Sequence, residues 1–457
     1  MVTTETQPEA AMDACDLVHA GQIHAAVDAL RDLRAASPEC ETTARLLAWA
    51  MTHDERATES EIDQAHHDAF MLVASPLPSL GGFTPDTTGR PIRLGLLSAG
   101  FCAHPVASTI EPLLLGADPD RLQIIGYSLT EHRDAVTSRM FKRSAGWREL
   151  AGLDDAASAH QIMLDRIDVL IDLAGDTPEG RPGITARRPA PVQLAGMAHA
   201  SRFCAPFTDA RLTDAVIDPV SRTASNEQRP LRIEGSSISY VPPHDAAPPM
   251  DERRAAGPVR FGAFASGQRL SATSLRLFAR VLTTIPESTL TIKSRTLGSP
   301  NARVELSRHL TSLGVDPGRV RMLPPAATAE GHLALHREID IALDTTPVAA
   351  ASATCDALWM GVPVISLAGS HPSSRLGASI LQAAGCSEWV CNDPTEYTER
   401  CVTLAAQVDH LRANRTTLHD KVTASPLCNA AAYADRFATA LEAHLHQQTS
   451  LPKRTAA

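Results

Sequence analysis

Lysine is almost missing from this chain. Of its 42 Lys and Arg residues only Lys142, Lys293, Lys421 and Lys453 are lysine, so arginine carries nearly all the positive charge. Aromatic residues make up 4% of the 457 and the net charge is −10, and no basic stripe is present, which argues against a nucleic-acid surface. No apolar run reaches the roughly 18 to 20 residues needed to span a bilayer. The nine cysteines are scattered with no C-x-x-C pair, which removes a zinc ribbon and a dithiol redox centre and leaves reduced packing thiols. G-x-G-x-x-G, G-x-x-x-x-G-K-[ST] and G-x-S-x-G are all absent, so a dinucleotide fingerprint, a P-loop and a nucleophile elbow are excluded. The opening residues, MVTTETQPEAAMDACD, are polar and acidic, with neither a basic n-region nor an apolar h-region. They predict no secretory signal and a cytoplasmic location.

What is present is a composition of 44% hydrophobic and 21% charged residues, that of a folded globular chain. The length suggests about three units. Residues 1–75 read as helical: Ile23, Val27, Leu30 and Leu33 recur at helical spacing after Gly21, Pro38 stops that helix, and further helices fit Thr43–Met51 and Glu61–Val73. The small residues around Gly21, Ala26 and Pro38 resemble one tetratricopeptide unit, which cannot bury its own face alone. Ser75–Arg90 reads as a linker.

From Pro91 short apolar runs alternate with helical stretches. Ile92–Leu97, Leu122–Tyr127, Val169–Leu173, Val192–Leu194 and Ala210–Leu212 are candidate strands, with helices at Pro105–Leu115, Asp134–Phe141 and Ala156–Asp165. Ile217–Pro258 is irregular and proline-rich. A second series follows, with strands at Val259–Phe264, Leu290–Lys293, Val320–Leu323, Ile339–Leu343 and Val362–Leu367, and a last helix over Ala430–His446. The pattern predicts two parallel, doubly covered α/β domains, at 76–250 and 251–457, the second with the terminal helix, and ligand binding at the carboxyl ends of the strands.

Two stretches could carry chemistry. In SAGFCAHP, Ser98–Pro105, His104 follows a strand and precedes a helix start, where the helix dipole favours a neutral imidazole; it is either a proton acceptor or a mere cap. In Ile339–Val364 a strand ends at Asp344, small residues allow close backbone approach, and the helix starting near Ser352–Thr354 offers N–H groups suited to a diphosphate. Asp356 in its first turn could accept from a ribose, or only complement the dipole. His332 and His336, at i, i+4, have no third ligand in sight and read as a partly exposed helix face. An anion site without a phosphate motif, in a two-domain α/β chain, suggests a nucleotide-sugar transferase.

The stretches RLGLLSAGFCAHPVAS, IDVLIDLAGDTPEGRPGITARRPAPVQ, RFGAFASGQRLS, IDIALDTTPVAAASATCDALWMGVPVISLAG and SRLGASILQAAGC run in unbroken order over about residues 60–445. They resemble the catalytic region of the O-GlcNAc transferase / Spindly-like family, glycosyltransferase family 41, in its bacterial form. The resemblance implies two Rossmann-like domains of GT-B type, inverting transfer of a sugar (GlcNAc or another hexose) from a UDP-sugar to a protein side chain, and no metal or other cofactor. His104 matches the family's active-site histidine, a base or acceptor-positioning residue. Arg269 stands where the family has a lysine on the donor phosphates. Ser266 falls on the donor side, His332 on a histidine near the uracil, Ser352, Ala353 and Thr354 on the phosphate-binding helix start, and Asp356 on the ribose contact. The chain departs from the family pattern at Arg269, at Ser352-Ala353 in place of adjacent threonines, at Ala349-Ala350 in place of Asn-Gly, in the loop Ala198–Phe203 and at Gly175-Asp176-Thr177. These departures keep a non-catalytic binding module, or a transferase using a different nucleotide-sugar, as alternatives. An epimerase of the same fold is a third.

Overall fold

The structure is a computed structural model that describes residues 7–74, 77–80, 85, 89–104, 106–175, 177–196, 205–222, 230–244, 246–251 and 257–450. The loop 198–203, Asp176, Pro105 and the tail after 450, all singled out in the sequence, lie outside the described residues.

Four helices open the chain: α1 (Gln7–His19), α2 (Ile23–Ala36), α3 (Glu41–Thr52) and α4 (Glu59–Ala74). The α2 stripe Ile23, Ala26, Val27 and Leu30 is buried, as the helical spacing requires. Gly21 makes the α1–α2 turn at φ +83°, a conformation that costs glycine nothing.

The first sheet contains β1 (Ile92–Ser98), β2 (Leu122–Ser128), β3 (Gly146–Glu149), β4 (Val169–Asp172), β5 (Val192–Ala195), β6 (Ala210–Thr213) and β7 (Pro230–Arg232), with α5 (Ala107–Gly116) after β1. Its order is β3-β2-β1-β4-β5-β6-β7 and every pairing is parallel. The second sheet contains β8 (Arg260–Phe264), β9 (Thr289–Lys293), β10 (Val320–Leu323), β11 (Ile341–Leu343), β12 (Val364–Leu367) and β13 (Val390–Cys391), in the order β10-β9-β8-β11-β12-β13, again all parallel. Its site helices are α6 (Ala329–Ala334) and α7 (Ala351–Trp359), and α8 (Ala430–Ser450) closes the chain. The central strands β4 and β5 are buried throughout, which explains why they are mainly apolar, interrupted only by Asp172 and Gln193. In both sheets the strand order reverses beside the first strand, the place where an open α/β sheet forms a crevice at its carboxyl edge.

The chain forms two compact units, Met1–Ile62 with Pro242–Cys428, and Asp63–Val241 with Asn429–Ala457. This division corrects the sequence boundaries at both ends. The terminal helix α8, assigned to the second domain, packs on the first sheet: Tyr433, Phe437 and Leu441 share a core with Leu94, Leu96, Ile110 and Leu113. A Cβ on Gly116 would lie 2.1 Å from the Ala430 carbonyl oxygen, so α5 and α8 meet backbone to backbone. Nor do the opening helices stand alone. Helices α1 to α3 belong with the second sheet, while Phe70 and Val73 of α4 pack with Ala186, Ala195 and Phe207 in the first. Among the described residues no helix is long and apolar enough to cross a membrane.

Candidate functional site

In the unit of the first sheet the loop after β1 carries His104, which is exposed. The N–H of Val106 donates to its Nδ1 at 3.2 Å, and the carbonyl of His104 accepts from Ala107 at 2.9 Å. Helix α5 therefore starts over this side chain, and the capping geometry is real. It also has a chemical consequence. A ring nitrogen that accepts an amide N–H carries no proton, so the neutral ring holds its proton on Nε2. Asp134 braces the same loop, accepting the Ala103 N–H at 2.6 Å while capping its own helix through Thr137.

The other predicted residues lie in the unit of the second sheet, around the carboxyl ends of β8, β9 and β11. After β8 the chain passes Ser266 and makes a single 3-10 turn, Gly267–Arg269, before Ser271 caps the next helix. The turn is tight: a Cβ on Gly267 would lie 2.2 Å from the His19 carbonyl oxygen at the end of α1 and 2.4 Å from Thr296 Cγ2. Arg269 leaves this turn with its Nε buried and without a hydrogen-bond partner, and it makes no ion pair among the described residues. Burial pulls the guanidinium below its ordinary pKa, and Asp344 opposes that shift. Arginine remains a cation all the same.

Asp344 follows β11 and organises the small-residue loop. Its Oδ1 accepts the N–H groups of Thr345 and Ala350, both at 2.8 Å, and its Oδ2 accepts the Ser366 hydroxyl at 2.6 Å. Burial raises its pKa, against those three donors and Arg269. Through Ala350 this carboxylate fixes the start of α7. Ala350 gives that helix no side-chain cap, so the first amides of α7 are left for another acceptor. Ser352 and Ala353 are half-buried there, and the Ser352 and Ser266 hydroxyls have no hydrogen bond among the described residues. Thr354 differs from expectation. It is 2% exposed, its N–H donates to the Ala350 carbonyl at 2.9 Å, and with Ala353, Phe264, His336 and Asp344 it lines a small cavity of about 20 Å³. That cavity holds about one water, not a nucleotide.

The pair His332 and His336 fits the partly exposed helix face that the sequence suggested only at His332. Helix α6 ends at Ala334 and a 3-10 turn, Leu335–Glu338, buries His336 completely. His336 packs edge-on against Phe264, ring centroids 4.8 Å apart, and burial pushes its pKa down to about 3. His332 stays partly exposed, with Nε2 3.0 Å from Asp356 Oδ2. Its Nδ1 touches the ammonium of Lys293, which also sits 5.2 Å from the centre of the Phe264 ring. Lys293 and Asp344 are thus site residues that sequence reasoning missed. Each stands at or just past the carboxyl end of a strand, and Lys293 is one of only four lysines. Among the described residues, the one trio of metal-ligand side chains within reach of each other is His24 on α2 with Asp54 and Glu55 in the connection between α3 and α4. There Arg56 already holds Asp54 at 2.8 Å.

Comparison with known proteins places this geometry in context. The sequence matches the family model described as glycosyl transferase family 41 over residues 81–229 and 256–437. It is 29% identical to the "Probable UDP-N-acetylglucosamine--peptide N-acetylglucosaminyltransferase SPINDLY" of Solanum lycopersicum across 87% of this chain and 43% of that protein. It is 31% identical to the Arabidopsis thaliana protein of the same description across 76% of this chain and 38% of that one. The chain thus spans about two fifths of the length of these curated relatives. A solved structure of a Thermobaculum terrenum O-GlcNAc transferase variant superposes with a TM-score of 0.87 at 26% identity, over 95% of this chain and 84% of that one.

Proposed function

The chain belongs to glycosyl transferase family 41, O-GlcNAc transferase / Spindly-like, and from that premise we propose that it moves a sugar from a UDP-sugar to a protein side chain. The donor sugar in this reading is GlcNAc or another hexose. The observation that carries the reading is Arg269: a guanidinium held in a braced turn at the carboxyl edge of the sheet, with Nε unpartnered and no carboxylate paired to it among the described residues. A fold does not spend burial on a lone cation for stability, but an anionic ligand repays it. The uncapped start of α7 supports the same conclusion, because its N–H groups favour negative charge.

In the proposed reaction the acceptor oxygen (or amide nitrogen) attacks the anomeric carbon, the bond to the β-phosphate oxygen breaks, UDP leaves with inversion, and the proton of the acceptor group is lost to solvent. Arg269 and the amides near Ser352 and Ala353 stabilise the charge that develops on the leaving diphosphate. Asp356 and His332 hold the nucleoside. The mechanism assigns no step to a metal. On the acceptor side, the tautomer fixed at His104 makes Nε2 a hydrogen-bond donor, which suits positioning of the acceptor oxygen better than accepting its proton. The experiment is incubation of the purified protein with a panel of UDP-sugars and GDP-sugars and a protein lysate, read by nucleotide release and acceptor mass. Release that needs both Arg269 and His104 supports the proposal; release unchanged in both alanine variants, or none from any donor, refutes it.

A further inference from the structure

Lys293 has no place in the mechanism above, yet it stands in the middle of the donor side. It ends β9 in register with Phe264, and its carbonyl accepts the Ala265 N–H at 3.0 Å, which puts it one strand across from the turn bearing Ser266 and Arg269. Its ammonium touches His332 Nδ1, and among the described residues it forms no ion pair with a carboxylate. A half-buried cation whose partner is an imidazole is not an ordinary stabilising pair. Lysine is also the exception here, since the other described lysines, Lys142 and Lys421, are exposed.

The hydrogen-bond logic is closed. The Asp356 carboxylate only accepts, so the bond at 3.0 Å requires the proton on His332 Nε2. The ammonium only donates, so Nδ1 must accept. We propose that Lys293 is a positioning residue of the donor site: through Nδ1 it locks His332 in one tautomer aimed at Asp356, leaving the imidazole its face, not its edge, to offer a bound nucleotide. The inference rests on the donor-site reading of the previous section. Arginine could not substitute for it well, because a planar five-donor fork does not match a single ring nitrogen. The titratable groups facing Lys293 are His332 and His336, from α6 and the turn after it, and Asp356 from α7; the flanking strands bring Phe264 and Leu323 opposite it. Burial, opposed by Asp356, lowers the lysine to about 8, so the lock weakens within a measurable range.

The test is Lys293→Met, which keeps an apolar stem against Phe264. Imidazole nitrogen spectra of the ligand-free protein, with His332 assigned by His332→Gln, report the tautomer, and UDP calorimetry between about pH 6.5 and 9.5 reports its use. In the wild type a single Nε2–H tautomer is expected, with UDP binding that weakens as pH rises through about 8. In the Met variant the tautomers mix, UDP binds about tenfold more weakly, the effect of one charge-assisted hydrogen bond, and the limb near 8 disappears. Lys293→Arg, the second variant, keeps the cation and removes the limb even if the Met variant fails to fold. An unchanged spectrum overturns the proposal, and so does a changed spectrum with UDP affinity and pH profile intact. Absence of UDP and GDP binding to the wild type overturns the donor-site reading itself, while the spectra still decide the Lys293–His332 contact.

Discussion

Replacing Arg269 with alanine separates the catalytic from the structural account of this residue, because the two predict opposite signs. If the guanidinium stabilises the departing diphosphate, its loss removes one preorganised charge from the transition state, and kcat falls about 10²- to 10³-fold, or about 3 to 4 kcal/mol. The stability change follows from its surroundings. Among the described residues Arg269 forms no ion pair and its Nε is a buried donor without an acceptor, and burial outweighs the attraction of Asp344. An unsatisfied buried donor costs about 1 to 3 kcal/mol. Truncation relieves that cost and loses only stem packing, so Tm should hold or rise, at about 2 to 4 °C per kcal/mol for a domain of this size. Arg269→Lys should keep turnover within about tenfold, since the charge survives but the fork does not. The assay is steady-state nucleotide release from a productive UDP-sugar, with thermal melting beside it. Near-wild-type turnover of the alanine variant would refute the mechanism. A sharp fall in Tm would show that Arg269 is held for the fold.

His336, fully buried with a pKa of about 3 against its ordinary 6.5, contributes stability that is complete above 6.5 and is lost as pH falls toward 3. At about pH 4.5 that loss is about 2.5 kcal/mol, so denaturant melts of His336→Gln should show a flatter acid limb by that amount. Gly267→Ala puts a Cβ 2.2 Å from the His19 carbonyl oxygen and must displace the turn bearing Arg269. UDP affinity should fall with it, measured by calorimetry, and stability should drop by about 1 to 3 kcal/mol. Gly116→Ala places its Cβ 2.1 Å from the Ala430 oxygen, so α8 must lift from α5. Chemical denaturation should report a loss of at least about 1 to 3 kcal/mol.

The fold was legible where burial imposes a pattern. Strands covered on both faces must be mainly apolar, and β1, β2, β4, β5, β6 and β8 to β12 all occur where mainly apolar runs stand, although Gln123, Asp172, Gln193 and Arg211 interrupt them and β10 is only half-buried. The missed strands lack that constraint. β3 reads Gly-Trp-Arg-Glu at a half-exposed edge, β7 has three residues, and β13 has two. The membership of α8 was not legible for a different reason. An amphipathic helix declares that it has a partner, not which partner, and here the choice lies in a backbone contact at Gly116 that no side-chain pattern encodes.

The site follows the same division between pattern and packing. Arg269, His332, Ser352 and Asp356 could be placed because their types and loop positions resemble a family pattern, and all four sit at the carboxyl edge of the second sheet. Thr354 shows the limit of that transfer, since one residue further along α7 turns the side chain into the core. Asp344 and Lys293 escaped because neither looks unusual alone. A carboxylate after a strand reads as a cap, and a lysine at a strand end reads as solvated. What makes them part of the site is their partners: two backbone N–H groups and a hydroxyl on Asp344, and an imidazole on Lys293. Both act one step behind the groups that would meet a ligand, Asp344 by fixing the start of α7 and Lys293 by fixing the His332 ring. A sequence scan weighs residues by what they can do to a substrate. The residues that aim those groups become visible only when folding brings together loops distant in the chain.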